Sequence, residues 1–266
     1  MRTGTIFLAL CLCAGPAAAQ VSVEVSPLRV EVEAGPGSTT TQAITLRNYG
    51  KQPVRVRATL TDWDLSRDGT PQFEGTEQNG RFSATSWVRL APPELVIDSE
   101  AEATVRFSLT APADAVPGGY RTSVLFDFGP ADRDPLARMR AVAFKGRVAT
   151  MLYVNIGKPA GSAELLDVAV RALGGDTHVV ALLRNSGRRS LRTKGTLVVL
   201  NGAGQSVREV ALPDVPVLPE SEREVAIPVA GRESGPLPDG DYRLELKMDL
   251  GLPALLIGEA SLKVAR

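Results

Sequence analysis

The residues of this chain with the clearest capacity for chemistry are one histidine, two cysteines and a pair of aspartates flanking a tryptophan. His178 could act as a general base or a metal ligand. It has no second histidine and no cysteine near it in the chain, so neither a zinc cluster nor a nucleophile–histidine pair can be assembled around it. It follows Gly174-Gly175-Asp176-Thr177 at the start of an alternating segment and reads as a structural or exposed side chain. Asp62 and Asp64 alternate around Trp63, which puts both carboxylates on one side of a strand. They could hold calcium or work as an acid and a base, but no calcium-loop spacing follows them, and a solvated face is the simpler reading. Gly118-Gly119 and Gly174-Gly175 are turn glycines outside any phosphate-binding pattern between a strand and a helix. Trp63 and Trp87 read as core residues. These residues give no catalytic set, so the sequence predicts a binding protein rather than an enzyme, with no cofactor and no metal.

The start of the chain bears on its compartment. Met1-Arg2 is followed by the apolar run Thr5–Cys13 and by Ala17-Ala18-Ala19, which predicts a signal peptide over residues 1–19 with cleavage before Gln20. The run is too short to span a bilayer, and no later stretch is long and apolar enough. Lipidation at Cys13 is the competing reading, but it wants a small residue just before the cysteine and Leu12 stands there. Cys11 and Cys13 both lie in the leader, so the exported chain is expected to have no disulfide, thiol nucleophile or thiolate metal site. Such a chain must be stabilised by its own core, and about 247 residues suffice for two ordinary domains. The 30 basic and 30 acidic residues balance, which argues against nucleic acid as a partner. The expected location is the periplasm, in soluble form and not embedded in a membrane.

Behind these residues lies a chain of period two. Val21, Val23 and Val25 alternate with Ser22 and Glu24, and Leu28, Val30 and Val32 with Arg29 and Glu31. The pattern continues through 43–47, 54–61, 104–110, 121–128, 148–156, 178–183, 196–200, 224–229 and 242–248. Alternating β-branched runs bounded by Gly, Pro, Asn and Asp predict half-buried strands, and their spacing predicts sandwiches. No segment reads convincingly as a helix. The ambiguous stretch is 131–143, where Pro135 argues for a loop feeding a strand.

A weak internal repeat points to two related domains. Ser99-Glu100-Ala101-Glu102 recurs as Ser221-Glu222-Arg223-Glu224, and Gly118-Gly119-Tyr120-Arg121 as Gly240-Asp241-Tyr242-Arg243, both at an offset of 122. Leu46-Arg47-Asn48-Tyr49-Gly50 resembles Leu183-Arg184-Asn185-Ser186-Gly187. An Asn followed by Gly after a strand predicts a hairpin turn, and a Gly-x-Tyr entering a strand predicts a corner whose tyrosine hydroxyl finds backbone. Gly157–Gly161 breaks the periodicity and contains Pro159, so it is the expected hinge. The fold class is therefore all-β: two immunoglobulin-like β-sandwich domains in tandem, at 20–157 and 162–266, bent about a short linker.

Over residues 21–160 the chain resembles the PapD-like periplasmic chaperones that assemble pili and other surface fibres. The resemblance is carried by Ser26-Pro27-Leu28-Arg29-Val30, by Ile44–Asn48, and by Trp87–Val96 with its proline pair followed by Glu102–Arg106. It continues through Thr110–Phe128 and Arg147–Asn155, with Lys158-Pro159 at the turn into the second domain. Where family members that work with an outer-membrane usher carry an acidic–arginine cluster, this chain reads Ala115–Tyr120.

The resemblance implies an ATP-independent chaperone for exported fibre or pilin-like subunits, acting in pilus (fimbrium) biogenesis and cell-wall organisation, with an outer-membrane usher as a further partner. It implies β-strand donation by the seventh strand, with Val142, Phe144 and Val148 pairing with the client. It also implies a clamp on the client's terminal carboxylate by Arg29 and a second cation, Arg147 or Lys145, with Arg147 preferred. Arg29 read alone is equally a strand arginine balancing Glu31. A different class stays open: a structural or adhesive immunoglobulin-like module of a cell-surface or secretion assembly. The two are separated by whether the 136–156 strand is an open edge or is covered.

Overall fold

The structure, a computed structural model, describes residues 22–73, 80–131, 146–232 and 234–265. The leader, the cleavage point before Gln20 and the candidate site residues Val142, Phe144 and Lys145 lie outside the described residues. The predicted alternation gives strands almost throughout. The first sandwich contains β1 (Val23–Ser26), β2 (Arg29–Ala34), β3 (Thr39–Asn48), β4 (Val54–Thr61), the short pair β5 (Asp64–Leu65) and β6 (Pro71–Gln72), β7 (Val88–Ala91), β8 (Glu94–Ile97), β9 (Glu102–Thr110), β10 (Gly118–Pro130) and β11 (Gly146–Ile156). Its two sheets run β1-β3-β9-β7 and β2-β11-β10-β4-β8. The chain changes sheet at the cis Ser26–Pro27 bond, so β1 pairs with β3 while β2 lies parallel to β11.

The second sandwich contains β12 (Ala163–Leu173), β13 (Asp176–Asn185), β14 (Leu191–Arg192), β15 (Lys194–Asn201), β16 (Ser206–Ala211), β17 (Pro216–Val217), β18 (Ser221–Ala230), β19 (Gly240–Asp249) and β20 (Leu256–Val264). Its sheets run β12-β13-β18 and β16-β15-β19-β20, with β14 and β17 as a small extra ribbon. Among the described residues the helical geometry is confined to short 3-10 turns between residues 80 and 87. No helix of the described residues is long and apolar enough to cross a membrane.

Each sandwich closes over its own core, because inward positions of facing sheets are apolar and outward ones polar. Ile44, Leu46, Val105, Phe107, Val124, Phe126, Leu152 and Val154 fill the first. Val179, Leu183, Leu197, Val199, Ile227, Leu244 and Leu246 fill the second. The same two corner devices appear in both. Tyr120 donates its hydroxyl to the Val116 carbonyl at 2.8 Å, and Tyr242 to the Pro238 carbonyl at 2.8 Å. Asn48 and Asn185, both fully buried, donate to the carbonyls four residues on, Gln52 and Arg189, each at 2.8 Å. They also reach across the core, Asn48 to Asp98 and Asn185 to Leu218, each at 3.0 Å. The predicted hairpin after each asparagine is corrected here. The strands it joins, β3 to β4, belong to different sheets, and the buried amide ties that crossover to the entry of β9 or β18.

The sandwiches dock on each other. Trp63, 1% exposed, packs edge-on against Tyr153 at 5.2 Å, and Leu218 of the second sandwich completes the cluster. The β5–β6 hairpin lies against the start of β18: Arg67 pairs with Glu222, and the Glu224 amide donates to the Arg67 carbonyl at 2.7 Å. Gly69, at φ +89°, carries the Arg223 guanidinium directly on its backbone, where a Cβ would fall 1.6 Å from a guanidinium nitrogen. Further round, Arg81 pairs with Glu220, and the Gly119 amide donates to the Arg188 carbonyl at 2.6 Å. This docking explains why β10 departs from alternation and is buried on both faces from Gly118 to Phe126.

Candidate functional site

The discriminating strand, β11, is both covered and open. On one side it pairs with β10 along its whole length, from Gly146↔Phe128 to Ile156↔Gly118. On the other, β2 covers only Met151–Ile156. The Met151 amide donates to the Leu28 carbonyl at 2.8 Å and the Gly157 amide to the Ala34 carbonyl at 3.0 Å, so the odd-numbered residues turn their backbone groups toward that side. Arg147 and Ala149 therefore present an N–H and a C=O each to an edge that no described strand occupies. Residues 136–145 of the predicted strand lie outside the described residues.

The open edge runs down toward Arg29, which begins β2 beside Met151. Arg29 contacts Glu31 at 3.5 Å and also reaches across to the second sandwich, where Asp214 lies at 3.5 Å. Asp214 is held more tightly by Arg192, whose Nε donates to Oδ1 at 2.6 Å and whose terminal nitrogen donates to the Asp214 carbonyl at 2.8 Å. The Arg192 hydrogen bond, aided by Arg29, holds the Asp214 carboxyl below the usual range. Tyr153 lies in this cleft. Its burial pushes the phenol up, and Arg192 and Arg29 pull it part of the way back. A carboxylate is thus gripped by one arginine from each sandwich.

Arg147 is not part of that group. It stands four residues before Met151 in the register, about 13 Å along the strand from the level of Arg29. Its partner is the cross-strand Asp127 at 2.6 Å, and that contact raises its pKa further. The structure does not bring Arg29 and Arg147 together. Val148 points inward and packs, partly buried, at the rim of the first core. Sequence reasoning missed Arg192 and Asp214. Nothing local marks them, because the first sits in a two-residue strand and the second in a loop between prolines, Pro213 and Pro216.

On either side of Trp63 lies a polar group that sequence reasoning assigned to a solvated face. Asp62 accepts from Ser83 Oγ at 2.6 Å and from Thr85 Oγ1 at 2.5 Å. Asp64 pairs with Arg121 at 3.0 Å, and Arg121, 4% exposed, donates Nε to the Trp63 carbonyl at 2.9 Å. Burial lowers the Arg121 pKa, and Asp64 opposes that. So Asp64 pairs the buried charge of Arg121, as such a charge requires, while Asp62 is held by two hydroxyls of the same sandwich. His178 is half-buried on β13, with Nδ1 3.2 Å from the Asp176 carbonyl. Among the described residues no group of three or more His, Cys, Asp or Glu could hold a metal ion.

No family model matches the chain, and no curated protein matches it. The solved structures it is similar to include several chaperones. The YadV chaperone is 13% identical, covering 90% of this chain and 99% of that one, with a TM-score of 0.46. The class 5 fimbriae chaperone CfaA is 9% identical, covering 92% and 100%, with a TM-score of 0.47. The CupB2 chaperone of Pseudomonas aeruginosa is 12% identical, covering 91% and 100%, with a TM-score of 0.43.

Proposed function

We propose that this protein is an ATP-independent periplasmic chaperone, exported by a leader cleaved before Gln20, that binds surface-fibre (pilus-like) subunits by β-strand donation. Its domains are proposed at 20–157 and 162–266, and an outer-membrane usher is proposed as the partner that receives the loaded complex. The observation that carries the reading is the outer edge of Gly146–Thr150, which no described strand occupies and which runs into an arginine-lined cleft between two sandwiches. An extended client segment can add to that edge through the Arg147 and Ala149 backbone groups. A strand so added continues the sheet, so the inner-face side chain of Val148 adjoins the inner face of the client, with Val142 and Phe144 proposed to extend that row. Arg29 is the proposed anchor for the client's terminal carboxylate, with Arg147 or Lys145 along the donated strand. The client gains a partner for an unpaired edge that would otherwise aggregate.

The test compares a fibre subunit lacking its last strand with the same subunit carrying that strand as a fusion. The first is expected to bind and the second not. Ala149→Pro removes one outward-facing N–H while leaving the β10 pairing intact, since proline is tolerated on an edge whose N–H faces solvent. Loss of binding with an unchanged melting curve is the expected result. Equal binding of the open and the completed subunit defeats strand donation.

A further inference from the structure

We infer that Arg29 and Arg192 form a carboxylate-binding site across the domain junction, and that Asp214 is its tethered occupant, displaced when a partner's carboxylate enters. This rests on the strand-donation reading only for the source of that carboxylate. The two guanidinium groups come from different sandwiches and meet on one acidic side chain. Arg192 does not depend on the carboxylate for its position. Its second bond goes to the backbone carbonyl of Asp214, so its fork stays aimed at the site when the side chain swings out. Arg29 is the looser partner at 3.5 Å and is shared with Glu31. Asp214 has half its side-chain surface in solvent, and Arg192, 21% exposed, keeps the Asp214 carbonyl as a partner when that side chain leaves.

The charge count selects the ligand. With Asp214 withdrawn, Arg29, Arg192 and Glu31 sum to one positive charge, which suits a monoanion such as a carboxylate better than a phosphate dianion. With its terminal nitrogen held on the Asp214 carbonyl, Arg192 offers Nε to one carboxylate oxygen and Arg29 can take the other, as they now do with Asp214. A tethered competitor lowers apparent affinity by the fraction of time it occupies the site, so a weakly held client would not bind while a client also paired along β11 would. The open edge and the site lie on the same strand pair, β2 and β11, so one extended segment can use both.

The experiment uses the full exported chain and an N-acetylated tetrapeptide with a free C-terminal carboxylate, with its C-terminal amide as control. Binding is followed by the Arg192 Nε–H resonance in wild type, Asp214→Asn, and Asp214→Asn combined with Arg29→Gln. Asp214→Asn is expected to bind the free acid about tenfold more tightly than wild type. It should ignore the amide and lose that gain when Arg29→Gln is added. Inorganic phosphate should compete poorly. Equal binding of acid and amide, no gain in Asp214→Asn, or a preference for phosphate overturns the site. Capture of the strand-lacking subunit is measured in parallel. If the peptide behaves as expected and the subunit is not captured, the site stands and strand donation fails. If the subunit is captured equally by wild type and Asp214→Asn while the peptide shows no gain, the reverse holds.

Discussion

In the first sandwich the opening strand is cut in two at Ser26–Pro27, and its second half covers Met151–Ile156 of β11. In the second, β12 runs unbroken beside β13, and no described strand pairs with the outer edge of β20. The corners are the same, with matched asparagines and tyrosines, but the edges differ. The difference shows how an edge is rationed. Val168 and Leu165 of β12 pack over Gly258 of β20, and the exposed positions of β20 include Glu259 and Lys263, whose charge discourages pairing with another chain. β11 exposes a short piece of edge, and its outward charge, Arg147, is already committed to Asp127. The central strands differ in the same sense. β19 alternates buried and exposed residues over most of its length, whereas β10 is buried on both faces because the junction sits on it.

The sharpest way to break the comparison is to remove what only the first sandwich has. Trp63→Ala deletes a fully buried ring and its Nε1 bond to the Thr122 carbonyl, 2.8 Å long. Denaturant titration should show a loss of about 3–5 kcal/mol. A loss under about 1 kcal/mol would mean that the junction contributes little to the stability of the whole chain. Next comes Arg29→Glu, which puts a carboxylate beside Asp214 and against any incoming carboxylate. Client capture should fall on the order of a hundredfold, with stability changing by less than about half a kcal/mol. Arg147→Glu in the same assay separates the two proposed anchors. If it alone abolishes capture, the anchor lies up the strand and not in the cleft.

Matched substitutions test whether the corners are truly equivalent. Asn48→Ala and Asn185→Ala each delete a fully buried amide with its bonds across the core and its acceptor for the Gly50 or Gly187 amide, and each should cost about 1–3 kcal/mol in denaturant titrations. A large cost in one sandwich alone would separate corners that look alike. The smallest effect is a pH dependence of docking. Arg184 and Arg67 hold Glu222 below its ordinary 4.5, and Ser66 and Thr70 hold Asp68 at about 2 against 3.8. Depressed carboxylates contribute stability fully above their unfolded values, and that contribution is lost as the pH falls through the folded ones. Melting temperature should therefore decline between about pH 4.5 and 2, and Glu222→Gln should flatten part of that decline.

Much of this fold was legible because alternation at Ile44, Leu46, Val105 and Phe107 is a local signal of a half-buried strand. The tyrosine corners were legible too, at their common offset of 122. The other repeat was misaligned by two. The equivalent residues are Glu100 and Glu220, which share a left-handed backbone at φ 59° and 52° and precede matching strands. Periodicity does not report a single positive φ, so the text similarity of Ser99–Glu102 and Ser221–Glu224 won. The Asn-x-Gly motif misled for a related reason. A turn and a sheet crossover use the same residues, and which one forms depends on where the next strand finds its partner. The cleft was half legible. Arg29 was found through a resemblance, while Arg192 and Asp214 meet it only in three dimensions, and the Asp62–Asp64 pair was assigned to solvent because its partners Ser83, Thr85 and Arg121 are distant in the sequence.

Gly69 has a mechanical consequence. A body joined to another by one flexible link can swivel in every direction, and a second attachment leaves rotation about the line between them. Here the linker after Gly157 is one attachment, reinforced beside it by Gly119 on the Arg188 carbonyl, and the hairpin seated by Gly69 under Arg223 is a second. Two attachments leave one axis free, and turning about it must slide Leu218 over Trp63 and Tyr153, so the packing of that cluster is what meters the gap between the sandwiches.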